Sequence, residues 1–132
     1  VFYNDSISTV PEATIAAIDA LEKVQYVIIG GFDRGIDYSG LVNYLKDKTS
    51  ATILLIGEAG NRIGGIAAKE GIAMSRIKKL ASVPECVKWV AEQPGAYGIC
   101  LLSPAASSYD TYKNFEERGN DFKSSIRNLP KY

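Results

Sequence analysis

The sequence predicts a three-layer, Rossmann-like α/β domain, a mostly parallel sheet with helices on both faces. Three observations predict it. Apolar runs such as ATILLIG (51–57) and YGICLLS (97–103) do not alternate with polar residues, so both of their faces are covered. Helical patterns separate the strand runs, the order that builds parallel sheets. Polar loops follow the strands directly, as they do where such sheets bind ligands.

Each element has its own signal. VFY (1–3) reads as a short strand and NDSIST (4–9) as a polar loop. Thr9 and Glu12 have capping-box spacing, with Pro11 just inside the helix start. Ile15, Ala16, Ile18, Ala20 and Leu21 make that helix amphipathic. VQYVIIGG (24–31) is a buried strand ending in glycines. FDRGIDYS (32–39) is a loop with Asp37 or Tyr38 near the next helix start, and GLVNYLKDK (40–48) is that helix. After the strand ATILLIG, GEAGNR (57–62) reads as a polar loop. NRIGGIAAKEG (61–71) reads as a weak helix, because Gly64 and Gly65 cost it stability. AMSRIKKL (73–80) contains a short strand, and VPECVKWVAEQ (83–93) is a helix with Pro84 in its first turn. The strand YGICLLS follows. The last helix runs through YKNFEERGNDFKSSIRNL (112–129), with Phe115, Phe122 and Ile126 as core candidates.

A chain of 132 residues is about one domain, expected to span 1–132. The start at Val1, with a strand already under way, suggests a piece of a longer protein. Fifteen basic residues balance fifteen acidic ones, so no broad attraction to nucleic acid or to an acidic membrane is expected, and any anion site is local. No apolar run reaches the roughly 18 residues of a membrane span, and no signal peptide is evident. Cys86 and Cys100 sit in apolar surroundings and read as buried free thiols, which fits a reducing cytoplasm. The absence of histidine removes Ser-His-Asp and Cys-His catalysis and, with only two separated cysteines, most zinc sites. A monomer is the default expectation.

Ligands of open α/β sheets sit at the carboxyl ends of the strands. The loops NDSIST, GGFDRGIDYS, GEAGNR and SPAASS hold hydroxyls or cations, the pattern of a small-anion site. Neither G-x-G-x-x-G nor G-x-x-x-x-G-K-[ST] occurs. Gly30-Gly31 and GEAGNRIGG therefore read as tight turns or as phosphate loops. Arg34 lies between Asp33 and Asp37, either as a surface salt bridge or as a carboxylate clamp, which a guanidinium suits by its paired donors. Ser107 and Ser108 either donate to an anion or cap a turn. Asp5 either shapes a turn or holds a ribose hydroxyl. Lys113, Glu116 and Glu117 read as a solvated helix face.

NDSIST with the following PEAT, IIGGFDRGIDYSGLVNYL and LLSPAASSYDTYKNFEERGNDF together resemble the C-terminal domain of the Mur ligases, in the D-glutamate-adding branch. The resemblance covers nearly the whole chain. It implies ATP-dependent amide ligation in peptidoglycan synthesis. ATP phosphorylates the carboxylate of UDP-N-acetylmuramoyl-L-alanine, D-glutamate's amine attacks the acyl phosphate, and Mg²⁺ and fixed cations stabilise the developing charge. In such ligases the mobile C-terminal domain closes over a central ATPase domain. Carried over by motif, Arg34 matches the cation, usually lysine, that holds one D-glutamate carboxylate, and Thr9 a hydroxyl assisting there. Ser108 and the backbone of Phe115 match contacts to the other carboxylate, where helix N-terminal amides favour an anion. Asp5 matches the acid at the ATP ribose.

The departures bear on activity. Ile7 stands where the usual motif has lysine, and Arg34 keeps the usual charge but not its geometry. The hairpin that normally carries an arginine ahead of NDS, the N-terminal and central domains, the P-loop and the metal ligands are missing, so the chain alone is expected to be inactive. Two other possibilities stay open: a stand-alone Mur-like binding module, and a sibling ligase domain for another amino acid.

Overall fold

The computed structural model describes residues 1–95 and 98–130. Five strands, β1 (Phe2–Asn4), β2 (Val24–Gly30), β3 (Thr52–Ile56), β4 (Ile77–Lys79) and β5 (Ile99–Leu102), form one sheet in the order β1-β5-β2-β3-β4. Every pairing is parallel. The helices are α1 (Pro11–Ala20), α2 (Ser39–Asp47), α3 (Gly57–Lys69), α4 (Val83–Ala91) and α5 (Phe115–Arg127), with a 3₁₀ turn at Met74–Arg76. This is the expected α/β class.

Both faces of the sheet are covered, which explains the unalternating strands. Val27 and Ile29 of β2 pack with Leu41, Leu45, Ala59 and Ile63 of α2 and α3. Tyr26 and Ile28 of the same strand face Cys86, Val87 and Phe122 of α4 and α5. Cys86 and Cys100 are free and buried in this second layer. Burial pushes the Cys100 thiol up to about 12, and that of Cys86 higher still. Among the described residues, no helix is long and apolar enough to cross a membrane.

Three sequence expectations need correction. The capping box at Thr9 does not form, because Val10 occupies the N-cap in extended geometry (φ −132°, ψ 153°) with no side-chain cap. Pro11 at the first helical position disfavours helical backbone in the residue before it. Thr9 is thereby left outside the helix, in the loop. The helix buries Pro11, Thr14 and Ile18, whereas Ala16 and Ala20 are exposed.

GEAGNR is not a loop. α3 begins at Gly57, directly after β3, through a left-handed φ of 65°. Gly60 and Gly64 let the helix lie against the strand it has just left: a Cβ would sit 3.1–3.2 Å from atoms of Leu55 at either position. Packing thus outweighs the propensity cost of Gly64.

The last helix is shorter than its pattern, opening at Phe115 with Asn114 as N-cap; the Asn114 side chain accepts from the Glu117 amide at 2.8 Å. Of its core candidates Phe122 is buried, while Phe115 and Ile126 are half-buried. In YGICLLS the strand covers Ile99–Leu102, and Tyr97 lies outside the described residues.

Candidate functional site

Three loops leave the carboxyl ends of β1, β2 and β5 and meet. NDSIST is tied to the end of β5 by Asp5, whose amide donates to the Leu102 carbonyl at 2.8 Å. One oxygen of the Asp5 carboxylate, Oδ2, accepts from both Ser103 Oγ (2.8 Å) and Ser8 Oγ. Thr14 of α1 donates to the Ser103 carbonyl at 3.0 Å, extending the buried hydroxyl cluster.

The Gly30-Gly31 pair serves close approach. A Cβ on Gly30 (φ 128°) would lie 2.0 Å from the Ile56 carbonyl oxygen, and one on Gly31 2.6 Å from that of Ser107. The Gly30 amide donates to Pro104 and the Phe32 amide to Ser107, so the loop after β2 is stitched to the loop after β5.

Beyond the glycines, Arg62 of α3 grips Asp33 with two bonds of 2.8 Å. Together with the bond from the Gly35 amide, this holds the Asp33 carboxyl at about 2, well below the usual carboxylate range. Arg34 is exposed, and its Nη2 approaches the Thr9 carbonyl at 3.4 Å. Among the described residues the only salt bridge is Arg62–Asp33, so the surface pairing considered for Arg34 does not form.

SPAASS is buried throughout. Ser107 Oγ accepts from the Tyr109 amide at 3.4 Å, a turn-capping role. The Ser108 carbonyl accepts from the amides of Thr111 and Tyr112. Its residue is 3% exposed, and its hydroxyl has no protein partner among the described residues.

Arg118 locks these parts together and was not singled out as a site residue from the sequence. It is 1% exposed. Nε donates to Ser6 Oγ (3.0 Å), Nη2 to the Ser6 carbonyl (2.8 Å) and Nη1 to the Ala106 carbonyl (3.0 Å). Ser6 Oγ in turn donates to the Phe115 carbonyl at 2.6 Å. Burial brings Arg118 down to about 10, so it remains a cation at neutral pH. The signal was its spacing: Phe115, Arg118 and Phe122 fall on one helix stripe.

The result is a cleft of about 340 Å³ lined by Ile7, Thr9, Ser107, Ser108, Asn114 and Phe115, among others. Thr9, Ser108 and Phe115 thus converge, with Arg34 beside Thr9. Ile7 and Phe115 also border a neighbouring cavity of about 330 Å³ that includes Lys123. Asp5 does not line the cleft, and its Oδ1 is free of protein hydrogen bonds among the described residues. A larger cavity of about 410 Å³, lined by Phe2, Gln25, Tyr26 and Cys100, lies at the amino ends of the strands, away from these loops.

Fold and cleft together define a parallel α/β domain with a hydroxyl-lined cleft at the carboxyl edge of its sheet. No family model matches the chain. The UDP-N-acetylmuramoylalanine–D-glutamate ligases of Caldanaerobacter subterraneus subsp. tengcongensis and Pediococcus pentosaceus are 38% and 39% identical to it, over 97% and 98% of this chain. A UDP-N-acetylmuramoyl-L-alanine–L-glutamate ligase of Salinispora tropica is 36% identical over 96% of this chain. The chain spans only 28% of the length of each of these relatives. A solved UDP-N-acetylmuramoyl-L-alanyl-D-glutamate–2,6-diaminopimelate ligase shares the fold over 96% of this chain and 29% of its own, with a TM-score of 0.58 at 20% identity. Over nearly its whole length the chain is similar to one segment of these D-glutamate ligases.

Proposed function

We propose that this chain is the C-terminal, D-glutamate-binding domain of a cytoplasmic ligase that joins D-glutamate to UDP-N-acetylmuramoyl-L-alanine at the expense of ATP. The observation that carries this is the convergence of Thr9, Ser108 and Phe115 on one cleft, with an exposed Arg34 guanidinium beside Thr9. A dicarboxylate needs two anion sites. Arg34 takes one carboxylate through paired donors, with the Thr9 hydroxyl assisting. The Ser108 hydroxyl and the first amides of α5 take the other, at a helix end that favours negative charge.

ATP and Mg²⁺ would lie mainly outside this chain. Its described residues hold no cluster of three His, Cys, Asp or Glu side chains fit for a metal, and the sequence has no P-loop. Asp5 has one oxygen left for a ribose hydroxyl. The chain's own task is to bind and orient the incoming amino acid, whose amine must approach the activated carboxylate.

The L-glutamate ligase among the relatives supports a second possibility, the same cleft serving the other enantiomer. Amino-acid-dependent ADP release by the complete ligase, with UDP-N-acetylmuramoyl-L-alanine and ATP, separates the two. D-glutamate is expected to support turnover and L-glutamate not; the reverse would establish the alternative, and turnover with neither would overturn both. The isolated chain is expected to release no ADP.

A further inference from the structure

We infer that Arg62 is a positioning residue for Arg34: by occupying Asp33 it keeps the neighbouring guanidinium free to receive a ligand carboxylate. This rests on the cleft being a dicarboxylate site. The sequence sets a problem there, since Asp33 and Asp37 flank Arg34. A loop of that composition would pair its own charges, and an anionic ligand would then have to break the pair.

Both acids are already engaged. Arg62 donates from Nε to Asp33 Oδ2 and from Nη2 to Oδ1, each at 2.8 Å, and the Gly35 amide adds a bond to Oδ1 at 2.9 Å. Asp37 Oδ1 accepts from the Ser39 amide (2.9 Å) and hydroxyl (2.7 Å). What remains for Arg34, among the described residues, is one long bond to a neutral carbonyl.

Arg62 is itself held in place. Its Nη2 also donates to the Ile36 carbonyl at 2.6 Å, and its guanidinium stacks 4.9 Å from the Tyr38 ring. Tyr38 is fully buried, and its hydroxyl donates to the Ala105 carbonyl at 2.9 Å. The brace therefore runs from α3 through the Arg34 loop to the loop carrying Ser108. Neutralising Asp33 also removes a negative charge that would repel an incoming carboxylate.

Two measurements test this. In the 132-residue chain, the Asp33 carboxyl is titrated by carbon-detected NMR in wild type, Arg62→Ala and Arg62→Ala/Arg34→Ala. Removing Arg62 is expected to raise the Asp33 midpoint, and removing Arg34 as well to raise it again, because Arg34 has moved onto the vacated carboxylate. No further rise in the double variant would overturn the inference, whatever the cleft binds. In the complete ligase, Arg62→Ala is expected to raise the D-glutamate KM about two- to fivefold, the effect an accessible ion pair supports, with kcat little changed. Asp33→Asn added to Arg62→Ala should restore the KM, since no carboxylate is left to capture Arg34. Failure of that rescue would make Arg62 a brace of the loop alone.

Discussion

Arg34→Ala in the complete ligase is expected to lower kcat/KM for D-glutamate by roughly 10- to 100-fold. A hydrogen bond to a charged group contributes roughly 1.5–3 kcal/mol, and about 1.4 kcal/mol is tenfold. Arg34 is exposed and its one hydrogen bond among the described residues is 3.4 Å long, to a carbonyl, so its loss should not disturb the fold. The KM for ATP should hardly move. Ser108→Ala should cost less, nearer the roughly 0.5–1.5 kcal/mol of a neutral hydrogen bond. Steady-state kinetics with D-glutamate and ATP varied in turn check this. An unchanged kcat/KM in a folded Arg34→Ala variant would remove Arg34 from the site.

Arg118→Met should have the largest effect on stability. The substitution keeps a long side chain but deprives Ser6 Oγ, the Ser6 carbonyl and the Ala106 carbonyl of their donor. Leaving a buried acceptor unpaired costs roughly 1–3 kcal/mol. Relief from burying a guanidinium offsets part of that. A net loss of about 2–4 kcal/mol is expected, among the larger values for one substitution. Arg118→Lys should recover little, because one ammonium cannot reproduce the guanidinium's spread of donors. Urea unfolding of the chain reads this as a lower midpoint at unchanged slope. A loss under about 1 kcal/mol would show that the loops hold without their central cation. Because Ser6 and Ala106 belong to the loops that carry Thr9 and Ser108, Arg118 underlies the cleft as well as the fold.

The sheet was legible because burial on both faces writes itself into β2, β3 and β5 as continuous apolar runs. The start of α5 was legible in part: Asn114 is a good cap, and Phe115 follows it. The start of α1 was misjudged because Thr9 and Glu12 satisfy a local rule that Pro11 overrides through Val10. α3 looked weak because Gly64 and Gly65 were counted as losses of propensity, whereas Gly64, like Gly60, lets the helix lie against Leu55. Such contacts belong to packing, which local pattern does not contain. The site divides in the same way. That hydroxyls and a cation gather at strand ends follows from composition and order. Which of them meet does not: Arg118 reaches Ser6 across 112 positions, and Arg62 reaches Asp33 across 29. Thr9, Ser108, Phe115 and Arg34 were joined through their likeness to a known ligase motif; the structure brings the first three to one cleft and leaves Arg34 at the Thr9 carbonyl.

The most direct test is a structure of the complete ligase crystallised with D-glutamate. One carboxylate is expected within hydrogen-bonding distance of the Arg34 guanidinium and the Thr9 hydroxyl, and the other at Ser108 Oγ and the amide that opens α5. D-glutamate bound elsewhere, with Arg34 and Ser108 both facing solvent, would contradict the assignment of this cleft as the amino-acid site.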